Sequence, residues 1–186
     1  MFNVGEIVSY GLHGRCQVIS IDEMKAGGQT TQYYSLQTTK TVGSKNQGTE
    51  AKVLVPVDQA EKKGLRAPIQ TEDEITAVLE VLGISDTYFK FEEHWKIEQK
   101  KIDDLVRDEG AIGLAKALGH LHVAQETATT PLSSEAIKYL RLIKRILARE
   151  IADALNDKST RQAERLINKA LTVRMEELRF KAEHDA

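Results

Sequence analysis

The hydrophobic pattern of this chain changes period once, and that change limits its possible folds more than any single residue does. Up to about residue 57 the apolar residues come in short runs rich in Val, Ile, Thr and Tyr: EIVSY, QVISI, TQYYSLQ and AKVLVPV. Runs of this kind, separated by turn-forming residues, predict β-strands. From residue 71 the apolar positions recur at i, i+3, i+4 and i+7, the spacing of amphipathic helices. The chain is therefore expected to be α+β and segregated: a β module over residues 1–68 and an all-α bundle over residues 71–186.

Within the first part, Gly27-Gly28 falls between the second and third runs, where a hairpin connection is expected. VGSKNQG (42–48) reads as a longer polar loop before the fourth run. Short strands joined by hairpins predict a small, strongly bent sheet or barrel. The stretch VSYGLHG (8–14) poses a separate question, because His13 stands among glycines where one strand breaks off and another starts. Glycines supply positive φ, so a turn accounts for it. A catalytic or phosphate-binding loop has the same composition.

In the second part, Ile75, Val78, Leu79 and Leu82 form an apolar stripe, with Thr71 and Glu74 at capping-box spacing and Gly83 at the end. Ser85 is placed to cap a second helix running through YFKFEEHWKIEQKKIDDLV to about Glu109, and a third covers roughly 111–127. Ser133 reads as the N-cap of a fourth helix, with Leu132 and Ile137 spaced as a hydrophobic staple. That helix runs to about Asn156. Ser159 and Gln162 have the spacing of another capping box, which opens a last helix carrying Leu166, Ile167, Ala170, Leu171 and Leu178.

Little in this sequence suggests catalysis. There is no Walker loop, no G-x-G-x-x-G and no G-x-S-x-G. Of the five histidines only His120 and His122 are close, and i, i+2 points two side chains to different sides of a helix. Cys16 is the sole cysteine, so the chain is suited to a reducing cytoplasm and offers no Cys/His metal cluster. No apolar run approaches the roughly 20 residues of a membrane span. Net charge is −2, so any contact with nucleic acid has to come from a local basic surface. A non-enzyme without cofactor or metal is expected, and an enzyme acting through His13 or Cys16 is the minor alternative.

Such a surface is present in the fourth helix, SSEAIKYLRLIKRILAREIADALN. Lys138, Arg141, Arg145 and Arg149 fall within about 80° of one another on a helical wheel, opposite Leu140, Ile143, Leu147, Ile151 and Ala154. Between Lys138 and Arg149 there are five basic residues, Lys144 included, and no acidic one. Solvated faces usually mix charge signs for i, i+4 pairing, whereas a one-sign stripe is a candidate phosphate-contact surface. A second feature is YFKFEEHW (88–95). Tyr88, Phe91, Trp95, Ile102 and Leu105 share a stripe that packs into a core. Trp95, followed by Lys96, Lys100 and Lys101, is alternatively a group that stacks or wedges against bases.

Taken together these residues resemble the CarD/CdnL family of bacterial transcription regulators. Phe2, Val4, Gly5, Val8, Tyr10, His13, Gly14, Val18, Ile21 and Asp22 fall in step with the family's opening pattern. VLVPVDQAEKKGLR carries a second match through Val55-Pro56, Ala60, Gly64, Leu65 and Arg66. HWKIEQKKIDDLVRDEG looks like the family's Trp-containing helix, and LSSEAIKYLRLIKRILAREIA like a later one. The likeness spans about residues 1–172. Gly11 and Cys16 replace a usual proline and glycine, and the absence of a long acidic extension fits the short CdnL type.

The resemblance implies a Tudor-like N-terminal module that binds the β subunit of RNA polymerase, from strands near Met24 and Leu54 with Lys52 beside them. It makes VSYGLHG a structural turn. It also implies a helical domain that contacts promoter DNA at the upstream edge of the −10 region, where a tryptophan wedge stabilises the open complex. With Trp95 in that role, the expected DNA-contact residues are Trp95, Lys96 and Lys100 together with Lys138, Arg141, Arg145 and Arg149 of the basic stripe. The expected protein is a cytoplasmic monomer whose DNA binding is weak and not sequence-specific alone. Downstream of Trp95 the family often has a basic-basic-aromatic run, where this chain has Lys96-Ile97-Glu98-Gln99. Glu98 is expected to face the phosphate backbone unfavourably, and a Tudor-like protein adaptor that does not bind DNA is the alternative it suggests.

Overall fold

Alternation decides the N-terminal half. In a computed structural model, which describes residues 1–26, 29–38, 52–84, 86, 94–128, 131–157 and 159–184, the chain divides into units Met1–Pro68 and Ile69–Ala186. The first holds a five-stranded antiparallel sheet of β1 (Ile7–Tyr10), β2 (Gly14–Ala26), β3 (Gln29–Thr38), β4 (Lys52–Pro56) and β5 (Leu65–Arg66). Their order across the sheet is β4-β3-β2-β1-β5. Val8 opposite Cys16, Val18 opposite Leu36 and Tyr34 opposite Val55 put one face into a core completed by Ala60 and Leu65. A regular pleat would send Val18 and Ile21, three residues apart, to opposite faces. The β-bulge between Val18 and Ser20 resets the register, so Ile21 pairs with core residue Tyr34. At two residues, β5 is too short to show any alternation, and the sequence pattern gives no sign of it.

VSYGLHG is a turn. Gly11–His13 make one turn of 3-10 helix, and Gly14, at φ 69° and ψ −141°, returns its N–H to the Gly11 carbonyl. The Tyr10 and His13 rings stack at 5.3 Å, 2° from parallel. Cys16 is fully buried and burial pushes its thiol up to about 11, a protonated and unreactive state at neutral pH. The loop 42–48 and Gly27-Gly28 lie outside the described residues, although Ala26 pairs directly with Gln29 as a tight hairpin requires.

The second unit contains α1 (Glu72–Gly83), α2 (Trp95–Thr127), α3 (Ser134–Ala154) and α4 (Arg161–His184). The Thr71–Glu74 capping box forms at α1, and Ser133 caps α3 by accepting from the Ala136 N–H. The expected Ser159–Gln162 box does not open α4. That helix starts at Arg161, so Thr160 stands at its cap while the Asp157 side chain takes the Ser159 N–H in a local turn. Ser85 and residues 87–93, expected at the start of the Trp-containing helix, lie outside the described residues. There the helix begins at Trp95.

α2 is bent back on itself. Gly110 has φ 60° and ψ −122°, a conformation closed to L side chains, and it divides the helix into arms 95–109 and 111–127. Residues 22 apart on a straight helix would be about 33 Å apart. Glu98 and His120, on opposite arms, are nevertheless hydrogen-bonded. A Cβ on Gly113 would lie 2.3 Å from the Leu105 carbonyl oxygen, so the arms meet with no room for a side chain there. The core lies between the arms and the other helices, with Ile102, Leu114, Leu118, Ile143, Leu147, Ile151 and Ile167 all fully buried. Each such side chain contributes roughly 1.5–3 kcal/mol.

Two buried charged side chains close the unit. The Glu150 carboxylate accepts the Ile69 N–H at 3.3 Å. Arg174, 1% exposed, donates to the carbonyls of Leu82 (3.3 Å), Ile84 and Asp86 (2.7 Å), and so satisfies the acceptors left open at the end of α1. The sequence pattern assigns the C-terminal tail nothing beyond a continuing helix. Arg174 instead ties that tail to α1.

Candidate functional site

In the helical unit the candidate site is built where α2 begins and α3 passes it. Trp95 is the first residue of α2 and is half-buried. Its ring meets Tyr139 of α3 edge-on, with centroids 5.2 Å apart and planes at 81°. The Tyr139 hydroxyl accepts from Gln99 Nε2 at 2.5 Å and donates to Asp103 at 3.4 Å. Burial raises both the Tyr139 hydroxyl and the Asp103 carboxyl above their ordinary values, and the hydrogen bond from Tyr139 pulls Asp103 part of the way back. Trp95 is thus neither a core residue nor a free one. One edge is fixed against Tyr139 while part of the indole stays open to solvent. Ile102 of the expected stripe is fully buried, Leu105 half-buried, and Tyr88 and Phe91 lie outside the described residues.

The residues after Trp95 correct one expectation. Lys96 and Lys100 are exposed, and Ile97 is 49% exposed. Glu98 does not face outward. It is 1% exposed and hydrogen-bonded to His120, itself 4% exposed, on the other arm of α2. A buried carboxylate needs a partner, and the bend at Gly110 supplies one. Burial lowers the His120 imidazole from its ordinary value while Glu98 pulls in the opposite direction. Glu98 therefore adds no negative charge to the surface around Trp95, where the exposed carboxylate is that of Asp103, bonded to Tyr139.

α3 presents its apolar face inward as expected, with Leu140, Ile143, Leu147 and Ile151 buried. On its outer face Lys138, Arg141 and Arg145 are exposed, and none of the three has a side-chain partner among the described residues. Arg149 differs. Its guanidinium engages Asp153 one turn on, at 3.0 and 3.2 Å, which neutralises the end of the stripe. Lys144 lies to one side, with its ammonium 2.7 Å from the Asn168 side-chain oxygen of α4. Tyr139, which holds Trp95, follows Lys138 but lies about 100° round the helix from it, so Trp95 and the stripe share α3 as their support without sharing one face. Tyr139 itself escaped the sequence pattern, although an aromatic inside a basic stripe was the available signal.

In the sheet unit, Met24, Lys52 and Leu54 share one face. Directly paired residues of antiparallel strands point the same way. Met24 pairs with Thr31, Leu54 with Ser35 and Lys52 with Gln37, all odd positions of β3, whereas core residues Tyr34 and Leu36 take the even ones. Met24 is 45% and Leu54 47% exposed, with Tyr33 on the same face between them. β4, which carries Lys52 and Leu54, is an edge strand among the described residues, so one side of its backbone is open to a further strand.

No helix among the described residues is long and apolar enough to cross a membrane. No curated protein matches the chain. Residues 2–69, which span the sheet unit and its 3-10 turns, match the family described as CarD-like/TRCF RID domain. The sheet with its exposed Met24–Leu54 face is the region matched, so it is the N-terminal unit that carries the likeness to a CarD-like/TRCF RID domain.

Proposed function

We propose that this protein is a transcription regulator of the short CdnL type. It docks on the β subunit of RNA polymerase through the sheet unit and contacts promoter DNA through the helical unit. The observation that supports the DNA half is a half-buried Trp95 seated on Tyr139 of α3, the helix that also carries Lys138, Arg141 and Arg145, three exposed cations with no side-chain partner among the described residues. Polymerase docking is supported by the family match and by the open β4 edge beside exposed Met24 and Leu54, an arrangement suited to pairing with a strand of a partner.

The mechanism follows from magnitudes. A protein of net charge −2 with a handful of free cations binds DNA weakly, each neutralised phosphate contributing about 0.9 to the slope of log K against log[salt]. Docking on polymerase makes the second contact intramolecular, at an effective concentration of about millimolar, so weak contacts suffice. The exposed part of Trp95 then inserts at an unstacked step at the upstream edge of the −10 region. It binds the melted promoter better than the closed one and shifts that equilibrium toward the open complex. Lys96 and Lys100 flank it. No side chain acts as a catalyst and no cofactor is needed.

The alternative, an adaptor that does not touch DNA, drew its support from Glu98 as a surface carboxylate. The pairing of Glu98 with His120 removes that support. Trp95→Ala tests the proposal: the lifetime of the open complex should shorten severalfold while retention of the variant by polymerase core stays at the wild-type level. An unchanged lifetime refutes the wedge, and loss of retention places polymerase contacts in the wrong unit.

A further inference from the structure

We infer that the DNA-contact surface does not end at α3 but continues onto α4, where Arg161, Arg165 and Lys169 form a second row of cations. This rests on the DNA-contact reading above and adds to it three residues in a helix to which nothing so far assigns a role.

The placement follows from burial and from one hydrogen bond. The buried stripe of α4 is Ala163, Ile167, Leu171 and Arg174. At about 100° per residue, Arg161, Arg165, Asn168 and Thr172 lie on one flank, about 100–160° from its centre, and Lys169 stands at the crest. On α3 the same construction puts Lys144 about 60° from the buried Leu147, then Arg141 and Arg145 progressively further out. Lys144 and Asn168 meet at 2.7 Å, so the flank of α4 that carries Arg161 and Arg165 is the one turned toward the Arg141–Arg145 side of α3. Only residues 155–160 separate the helices, which fixes them as antiparallel neighbours.

Counting outward from the Lys144–Asn168 contact, Arg165 and Lys169 each come level with α3 to within about 3 Å of Arg145 or Arg141. Packed helix axes are about 8–10 Å apart, so the two rows are separated by roughly the width of a DNA groove, about 6–12 Å. A surface with this spacing fits the paired phosphate strands of a duplex. Of the carboxylates near this face of α4, Glu164 accepts a hydrogen bond from the Thr160 hydroxyl at 2.7 Å, and Glu176 lies two turns beyond Lys169, past the end of the rows. Arg161, Arg165 and Lys169 themselves are exposed and unpaired among the described residues. Val173, one turn beyond Lys169, and Phe180 are exposed on the Lys169 side of the helix, whereas the flank of Arg161 and Arg165 carries no exposed large apolar side chain among the described residues. That flank therefore lacks the apolar insertions of a membrane-binding helix, which favours a nucleic-acid backbone over lipid headgroups.

The test uses the full chain and a fluorescein-labelled DNA duplex of random sequence, titrated by anisotropy from about 50 to 200 mM KCl. Arg161→Ser, Arg165→Ser and Lys169→Ser are combined in one variant, and Lys138→Ser, Arg141→Ser and Arg145→Ser in another. The α4 variant should lower the slope of log K against log[salt] by about 2–3, comparably to the α3 variant. Arg165→Glu alone should weaken binding further than Arg165→Ser, and Arg165→Lys should restore it. A lowered slope for the α3 variant with an unchanged one for the α4 variant overturns this inference and leaves the reading of α3 standing. No salt-dependent binding by the wild-type chain overturns both. Binding to vesicles of equal phosphatidylglycerol and phosphatidylcholine that is tighter than to DNA, and abolished in the α4 variant, would reassign the surface to lipid. All six sites are exposed, so melting temperatures should stay close to wild type.

Discussion

Replacing Glu98 with Gln separates two pictures of the surface around Trp95 by the sign of their effects. A carboxylate facing DNA at about 8 Å from a phosphate would repel it by about 0.5 kcal/mol in water, so its removal would tighten binding about twofold. The structure instead turns Glu98 inward onto His120. Gln keeps the volume and one hydrogen bond but loses the charged acceptor, whose bond is worth about 1.5–3 kcal/mol against about 1 for a neutral one. The expected loss is about 1–2 kcal/mol, or roughly 4–8 °C in melting temperature for a unit of this size. Glu98→Ala also removes packed methylenes and strands the imidazole, and should cost about 3–5 kcal/mol. Thermal melts followed by circular dichroism, paired with DNA anisotropy at one salt concentration, read both quantities on the same samples. A Glu98→Gln protein with unmoved melting temperature and DNA affinity raised twofold or more would refute the inward pairing.

Burial lowers both His120 and His122 from an ordinary value of 6.5, against the pull of Glu98 and Glu126 respectively. A histidine held neutral in the fold binds fewer protons than in the unfolded chain, so stability is full above 6.5 and falls as the pH drops through it. Melting temperature should therefore decline between about pH 7.5 and 5.5, and His120→Gln should make the decline shallower. A flat or rising profile in the wild-type chain would contradict the burial of these rings. Arg174→Met, which conserves most of the volume, leaves the Leu82, Ile84 and Asp86 carbonyls without their donor and should destabilise the helical unit by about 2–4 kcal/mol. A urea midpoint within error of wild type would show that those carbonyls are served equally well by water.

What could be read from the sequence was whatever depends on near neighbours. Thr71 with Glu74, Ser133 with α3, the apolar stripe of α3 and the break between Glu109 and residue 111 are all fixed within one or two turns, and all stand where the spacing puts them. Met24, Lys52 and Leu54 stand on the family resemblance alone, and that they share a face depends on β2 and β4 both pairing with β3, which no local spacing gives. Glu98 was misjudged because its partner is 22 positions away and is brought back by the bend at Gly110. Arg174 lies about 90 residues from the carbonyls it serves, a separation that no local spacing rule connects. The capping residue of α4 was missed by one position, since Ser159 and Thr160 are chemically equivalent caps and only the Asp157 turn distinguishes them.

The bend at Gly110 makes the Trp95 arm a lever with its fulcrum at the far end. Fifteen residues of helix put the indole about 22 Å from the pivot, so opening the elbow by about 5° swings it by about 2 Å. That is more than half the rise between stacked bases. No flexible tether absorbs such an error, because the reversal is made by one residue whose backbone geometry excludes a side chain. The aim of the tryptophan is thus set by how closely Gly113 seats against the Leu105 carbonyl. A single methyl group added there, remote from any candidate DNA contact, would be expressed at the tip of the arm as a misdirected ring.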